Sequence, residues 1–431
     1  MELCRISNDW LGESYYDITH KSGLRIFVFP KKLTTFYAVL GTRFGGVDHS
    51  FIDENGKRAE LPVGTAHFLE HKLFDRKNGS SDETFSCLGA EANAYTSYST
   101  TRYLFSTTEN FHECLTELMR FMTEPYFTKK SVKKEQGIIG QEIKMYADNP
   151  YAVGNENMLR GLYQKSNLKD TICGSIESIS KITDKTLYSA HRAFYAPENM
   201  ALSVCGNVTP QSVLETVDRA LEGKSFTPAA KKEKADEPSE VASAYIEQSM
   251  RVARPIFFLG MKDKVDGLDT VERRRRSCAM TLTNNMLFSS SGEFYNRLLS
   301  EKLISPGFSF GYTSTRDSAY ESFSGETDHP EKVVELIREK IASARRDGLS
   351  REDFERCRRV MLSGYIRLFD SSEEIADDVV LNSWFSNCAP FSTPEVISSV
   401  TLERCEQVLR EVLDNENQTL SIIKPLLEVK R

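Results

Sequence analysis

Two histidines and a glutamate stand together at His67-Phe68-Leu69-Glu70-His71. On a helix, residues three and four apart share a face, so His67, Glu70 and His71 project side by side. Imidazoles at i and i+4 offer two donors in zinc-ligand spacing, and the carboxylate between them stands where a zinc-activated water would be. The chain has seven His in 431 residues. Chance would then give such a pattern on the order of 0.01 times in the chain. The bland alternative is a buried helix with two hydrogen-bonded histidines, which Phe68, Leu69, Leu73 and Phe74 would also suit. Pro62 fits the first turn of that helix.

A second carboxylate pair follows in Lys134-Glu-Gln-Gly-Ile-Ile-Gly-Gln-Glu-Ile-Lys-Met-Tyr146, where Glu135 and Glu142 are seven positions apart. Seven residues is close to two helical turns, so both carboxylates point the same way. His-x-x-Glu-His followed by this Glu-x6-Glu segment is the inverted zincin pattern. On these residues the chain resembles the pitrilysin/insulinase family of zinc metallopeptidases, in its short bacterial, processing-peptidase-like form. The surrounding words look most like a subfamily associated with elongation factor P modification, although no residue argues for that role.

The resemblance implies a Zn2+ held by His67, His71 and Glu142, with Glu70 as general base and Glu135 just outside the ligands, orienting a histidine. The gap of 71 positions from His71 to Glu142 is a few short of the family's usual one, as a loop deletion would explain. The fold implied is α+β, two homologous α/β sandwich halves of the mitochondrial-processing-peptidase-like metallohydrolase type, closing as a clamshell over one zinc. Asn93, Ala94 and Thr96 match a family segment where an edge strand pairs with the substrate backbone. Read alone, that stretch is a half-buried strand with Asn93 near a turn.

One departure bears on partners. Family enzymes carry, in the half without metal, an Arg and a Tyr that contact the substrate carbonyl. Here Ser300 holds the Arg place and Phe308 or Phe310 the Tyr place, and none can supply a charge or a phenolic donor. Arg297 and Tyr312 are near but wrongly spaced. The resemblance therefore implies the metal-bearing member of a heterodimer, whose paralogous partner lacks the zinc motif and supplies Arg and Tyr. The expected activity is a zinc endopeptidase acting on peptides or unfolded segments in an enclosed chamber. The alternative is a non-catalytic, zinc-binding assembly subunit.

The elements that must position these residues are legible from pattern. Residues 24 to 47 read as two strands, 92 to 98 and 101 to 107 as two more, and 111 to 122 as an amphipathic helix stopped near Pro125. The helix carrying Glu142 is predicted to end near Asn149-Pro150. Ile179-Ser-Lys-Ile-Thr183 matches Ile397-Ser-Ser-Val-Thr401, and Glu198 to Val204 matches Glu416 to Ile422, both at an offset of 218 positions. A shared offset in separate patches predicts a duplicated domain. The same offset carries the histidine motif to Asn285-Met-Leu-Phe-Ser289, which keeps apolar positions and loses every donor of the motif. The expected organisation is a zinc-bearing half over 1–224, a Pro- and charge-rich linker over 225–240, and a homologous half without metal ligands over 241–431.

Composition narrows the class. A chain of 431 residues is long enough for two cores, and 40% hydrophobic with 27% charged residues is globular. A net charge of −7 argues against nucleic acid, and Arg273 to Arg276 reads as a solvated helix face. Nine scattered cysteines without a Cys-x-x-Cys pair fit free thiols in a reducing compartment. The N-terminus has no basic start followed by an apolar core, and no apolar run approaches 18 residues. The expected location is the cytoplasm.

Overall fold

The computed structural model describes residues 3–413 and 416–426, and the chain packs as two units. Unit 1 comprises Met1–Ile143, Thr171–Glu233 and Ile366–Phe391; unit 2 comprises Lys144–Asp170, Lys234–Tyr365 and Ser392–Arg431.

Unit 1 is built on strands β1 (Cys4–Asn8), β2 (Glu13–Thr19), β3 (Arg25–Pro30) and β4 (Phe36–Thr42). Next come β5 (Ser50–Ile52) and β6 (Arg58–Glu60), then β7 (Glu91–Thr96), β8 (Thr101–Thr107), β9 (Met200–Gly206) and β10 (Lys231–Lys232). The main sheet runs β1-β2-β3-β9-β4-β8-β7, with β10-β5-β6 as a small separate sheet. Only the β3–β9 pair of the main sheet is parallel. Every residue of β9 is buried and β4 is nearly so. Both therefore read as continuous apolar runs, the mark of strands covered on both faces.

One face carries helices α1 (Thr65–Lys72), α2 (Ser81–Cys87) and α3 (Phe111–Thr123). Phe68, Leu69, Leu115 and Leu118 share a core with Ala38, Leu40 and Phe105 of the sheet. The opposite face is covered by residues 366–391. Phe391 packs on Tyr15 and Phe29, and Phe369 packs on Phe29. Gly41 makes room for this cover, since a Cβ there would lie 2.7 Å from Phe385 Cζ.

Unit 2 holds β11 (Tyr245–Met250), β12 (Ile256–Asp263), β13 (Ser309–Ser314), β14 (Ala319–Glu326) and β15 (Gln418–Pro425), in the order β11-β15-β12-β14-β13. Order and orientation repeat β3-β9-β4-β8-β7, with the single parallel pair in the same place. Corresponding strands start 218 to 220 positions apart, as Glu91 does from Ser309 and Arg25 from Tyr245. The repeat seen in two short patches thus extends through a whole sheet.

The covering segments are exchanged between the sequence halves. After α4 (Lys129–Ala147) comes α5 (Pro150–Leu162), which packs on the sheet of unit 2. Gly154 admits Phe258, and Gly260 admits Met158 and Leu162. Moving α5 forward by the repeat offset of 218 lands on residues 368–380, inside the segment that covers unit 1. The packing units therefore do not follow a single cut at 225–240. That connector is also tied down: Lys231–Lys232 pairs with β5, and Glu237 accepts from Lys262 Nζ at 2.6 Å and from three backbone N–H groups.

The arginine run departs from the solvated face its sequence suggests. Arg275 alone of the four is exposed. Arg276 is buried and forks onto Asp263 with two bonds of 2.7 Å, and Arg273 donates to the carbonyls of Val265 and Arg316. A 3.6-residue repeat turns at least one of four consecutive residues inward, and here the inward guanidinium meets its carboxylate.

Unit 2 also buries Glu321 completely, with Asn284 Nδ2 donating to it at 2.7 Å and Gly311 N–H at 3.1 Å. Burial pushes its carboxyl from the ordinary 4.5 to about 8. The folded chain then keeps this proton to higher pH than the unfolded chain. The associated stability is complete below about pH 4.5 and is lost as pH rises toward 8. Glu321→Gln should melt like the parent at pH 5 and at a higher temperature than the parent at pH 8. Its amide can also serve Asn284 Oδ1, which has no hydrogen-bond partner among the described residues. Parent and variant melting curves that shift equally between the two pH values would refute this.

Candidate active site

Helix α1 begins at Thr65, after Gly64 at φ +93°, so Pro62 lies before the helix rather than in its first turn. The helix is only eight residues long and has no side-chain N-cap. Tertiary packing holds it: Phe68 and Leu69 point into the core, while His67, Glu70 and His71 share the remaining face. His67 and Glu70 are buried and His71 half-buried.

Helix α4 supplies the facing carboxylates. Glu142 Oε1 is 3.5 Å from His67 Nε2, and Glu142 Oε2 is 3.7 Å from His71 Nε2. One heptad earlier, Glu135 Oε1 accepts from His71 Nδ1 at 3.2 Å. The two carboxylates bracket the His71 ring, one on each nitrogen. With its hydrogen on Nδ1, the ring turns the Nε2 lone pair toward Glu142 and His67. Lys72, itself buried, donates to the other oxygen of Glu135 at 3.4 Å and also to Asp75.

Each carboxylate is tuned by a different neighbour. Burial pushes Glu70 above the usual carboxylate range, against the pull of the Thr96 hydroxyl and both imidazoles. The His67 bond holds Glu142 below that range, with burial opposing. Burial alone would raise Glu135, but the His71 bond and Lys72 outweigh it. Burial alone would lower His71, yet Glu135, Glu70 and Glu142 together raise it.

The donor set fits a zinc ion. Donors at about 2.0–2.1 Å from a tetrahedral zinc stand about 3.3–3.4 Å from one another. The contacts of 3.5 and 3.7 Å from Glu142 to the two histidines are within a few tenths of an ångström of that. Three side chains of this kind leave one position open for water, as catalytic zinc sites do.

Glu70 is held from outside the helix. Thr96 Oγ1, at the end of β7, donates to Glu70 Oε2 at 2.5 Å. Thr96 is 3.3 Å from Thr101 Oγ1, which donates to the carbonyl of Phe44 at 2.8 Å. The single Thr96 proton goes to the nearer acceptor, the ionisable Glu70 Oε2, rather than to Thr101. β7 is the last strand of its sheet, with one edge unpaired among the described residues, and Asn93 Oδ1 accepts the backbone N–H of Ala94 at 2.8 Å. On the opposite face Tyr95 donates to Asp377 at 2.7 Å, and Arg102 donates to Asp377 and Asn382. Asp377 lies in a π-helical turn, Ile375–Leu381.

Sequence reasoning missed three of these features: the Thr96 hold on Glu70, the Asp377 anchor, and Cys173, whose Sγ is 3.9 Å from His67 Nε2. None carries a local signal, because each joins residues far apart in the chain. At the places considered for a carbonyl-contacting pair, Ser300 bonds its own helix at the Arg297 carbonyl. Phe308 is buried, and Phe310 packs near Phe288. Tyr312 donates to Asp263 at 2.5 Å, and Arg297 is half-exposed beside Glu301 at 3.9 Å.

Residues 54–175 match the insulinase peptidase family, M16, and residues 181–361 match the M16 inactive domain. An uncharacterized zinc protease of Bacillus subtilis, YmfH, is 33% identical, over 97% of this chain and 99% of its own length. The chain belongs to the M16 peptidase family. A second relative in Bacillus subtilis, the uncharacterized zinc protease YmxG, is 24% identical over 86% of this chain and 91% of its own length. The crystal structure of an M16-like peptidase from Alicyclobacillus acidocaldarius superposes with a TM-score of 0.91 at 28% identity, covering 99% of this chain and all of that one. The stretch matched by the inactive M16 domain includes Asn285 to Ser289, where the repeat has lost its donors. Among the described residues no helix is long and apolar enough to cross a membrane.

Proposed function

We propose that this M16 chain is a zinc endopeptidase subunit, with His67, His71 and Glu142 as the metal's ligands and Glu70 as the general base. The observation that carries the reading is the convergence of both His Nε2 atoms on the two oxygens of Glu142, with Glu70 beside them and outside the donor set. A bound zinc would supply a Lewis acid and bring a water's pKa toward ~7. The rest falls to the chain. Glu70 takes the proton from the attacking water on the oxygen not held by Thr96, and passes it to the leaving amine. A carboxyl raised by burial is suited to both halves of that transfer. Glu135 fixes the His71 tautomer. The free edge of β7 can take an extended substrate as an added strand, whose main-chain carbonyl would replace Asn93 Oδ1 on the Ala94 N–H. Such pairing makes few demands on substrate side chains. None of the nine cysteines is joined in a disulfide, which supports a cytoplasmic location.

The second reading, a zinc-binding assembly subunit without catalysis, is favoured by the second half, where Tyr312 is engaged by Asp263 and Ser300 by its own helix. We take that feature instead to mean a heterodimer, in which a paralogue without His-x-x-Glu-His supplies Arg and Tyr.

Ligand replacements test the metal centre. His67→Ala, His71→Ala and Glu142→Gln should each abolish stoichiometric zinc binding measured by titration. Glu135→Gln should weaken it ~10–100-fold, as expected when an orienting partner is lost. Equal loss from the Glu135 and Glu142 variants would mean that the third ligand is misassigned.

A further inference from the structure

Cys173 has no part in the chemistry above, yet its sulfur stands beside two of the three proposed ligands, His67 and Glu142, in a group that does not include His71. One donor atom each from His67, Glu142 and Cys173 lies within 4.8 Å of the other two, and the Cys173 Sγ to His67 Nε2 distance is 3.9 Å. On a tetrahedral zinc, with nitrogen at about 2.0–2.1 Å and sulfur at about 2.3 Å, those two atoms would stand about 3.5–3.6 Å apart. For the Cys173–His67 pair a movement of a few tenths of an ångström closes the difference. His67 is 7% exposed and its Nδ1 has no hydrogen-bond partner among the described residues. Beside the edge-on His71 ring, the polar contacts that orient it are on Nε2, from Glu142 and Cys173.

The backbone brings the thiol there and holds it. Gly174, at φ +75°, and Gly64, at φ +93°, let the turn at Cys173 press against the entry to α1. A Cβ on Gly64 would lie 2.6 Å from the Cys173 carbonyl oxygen, and one on Gly174 would lie 2.5 Å from that of Val63. Ser178 Oγ donates to the same Val63 carbonyl at 2.8 Å, and Thr171 Oγ1 donates to the Gly174 carbonyl at 2.8 Å. Neither glycine admits a side chain, so the turn cannot back away from the metal helix without losing this fit.

Resting on the metal centre proposed above, we infer that Cys173 is a further donor of that centre, its thiolate taking the position that hydrolysis leaves to water. Three protein donors make a zinc site open and four make it closed. A soft thiolate added to two imidazoles and a carboxylate also favours zinc over magnesium, calcium or manganese. The chain then has a closed resting state, and substrate hydrolysis requires the sulfur to give way to water.

Cobalt(II) substitution reads the sulfur directly, without reference to activity. The full-length chain loaded with one cobalt should show an intense near-ultraviolet thiolate-to-cobalt charge-transfer band beside the visible d–d bands. Cys173→Ser should lose the charge-transfer band, keep the visible bands, and bind zinc on the order of tenfold more weakly or worse, since even loss of an orienting partner costs ~10–100-fold. Visible bands without the charge-transfer band in the parent would overturn the thiolate donor and leave the three-ligand centre standing. A charge-transfer band that survives in Cys173→Ser would place the sulfur elsewhere and overturn it too. A parent chain that takes up no cobalt and no zinc would sink the metal centre itself, and this inference with it.

Discussion

Glu70→Gln is expected to bind one zinc per chain as the parent does and to cleave peptides about 10²–10⁴-fold more slowly, or worse. The substitution is isosteric, and its amide oxygen can still accept the Thr96 hydroxyl that now holds Glu70 Oε2 at 2.5 Å. The ligand face made by His67, His71 and Glu142 is left alone. What disappears is the group that takes the proton from water and returns it to the leaving amine. Folding should not suffer, because burial already works against the ionised form of this carboxylate. A melting temperature equal to or above the parent's is the control. Metal content by mass spectrometry and turnover of a broad peptide library give the two readouts. Full cleavage by the variant would remove Glu70 from the mechanism, and loss of zinc would make it a ligand instead. A parent that binds zinc and cleaves nothing, even with its partner present, would leave the assembly-subunit reading.

The second large effect concerns that partner. Removing one preorganised donor at a developing oxyanion costs about 2.7–4 kcal/mol, or 10²–10³ in rate. The second half of this chain has Ser300, Phe308 and Phe310 at the places considered for such donors, and its nearby Tyr312 hydroxyl is bound to Asp263 within a buried group that includes Arg276. The purified chain is therefore expected to be at least about 10²-fold less active alone than when mixed with a paralogue that carries Arg and Tyr and lacks the zinc motif. Replacing that Arg and Tyr in the partner should return activity to the level of the isolated chain, without changing zinc binding here. Arg297→Ala in this chain should leave the activity of the pair unchanged. Full activity from this chain alone, abolished by Arg297→Ala, would refute the heterodimer.

Much of this arrangement was legible because helix and strand periods are local. A period of 3.6 puts His67, Glu70 and His71 on one face whatever the helix packs against, and it sets Glu135 and Glu142 two turns apart. The apolar runs of β4 and β9 announce strands buried on both faces. The repeat could be read from two patches because duplicated strands kept their spacing. The Arg273 to Arg276 run shows the limit. Sequence gives the charge of each residue and the helix that bears it, but not which one turns inward to meet Asp263.

Local spacing showed which residues can share a helical face, that residues 24–47, 92–98 and 101–107 hold strands, and that two patches recur at one offset, as a duplicated domain requires. Packing decided that Glu135 meets Nδ1 of His71 while Glu142 meets its Nε2, that Thr96 holds Glu70, and that a thiol 106 residues from His67 stands beside it. It also decided that residues 366–391 cover the sheet carrying β7 and anchor Tyr95 and Arg102 through Asp377. The reason is physical. Backbone geometry repeats over a few residues and leaves its mark in local spacing, whereas these contacts follow from burying apolar faces contributed by distant segments. The polar groups brought in with those faces must then find partners wherever the packing has put them.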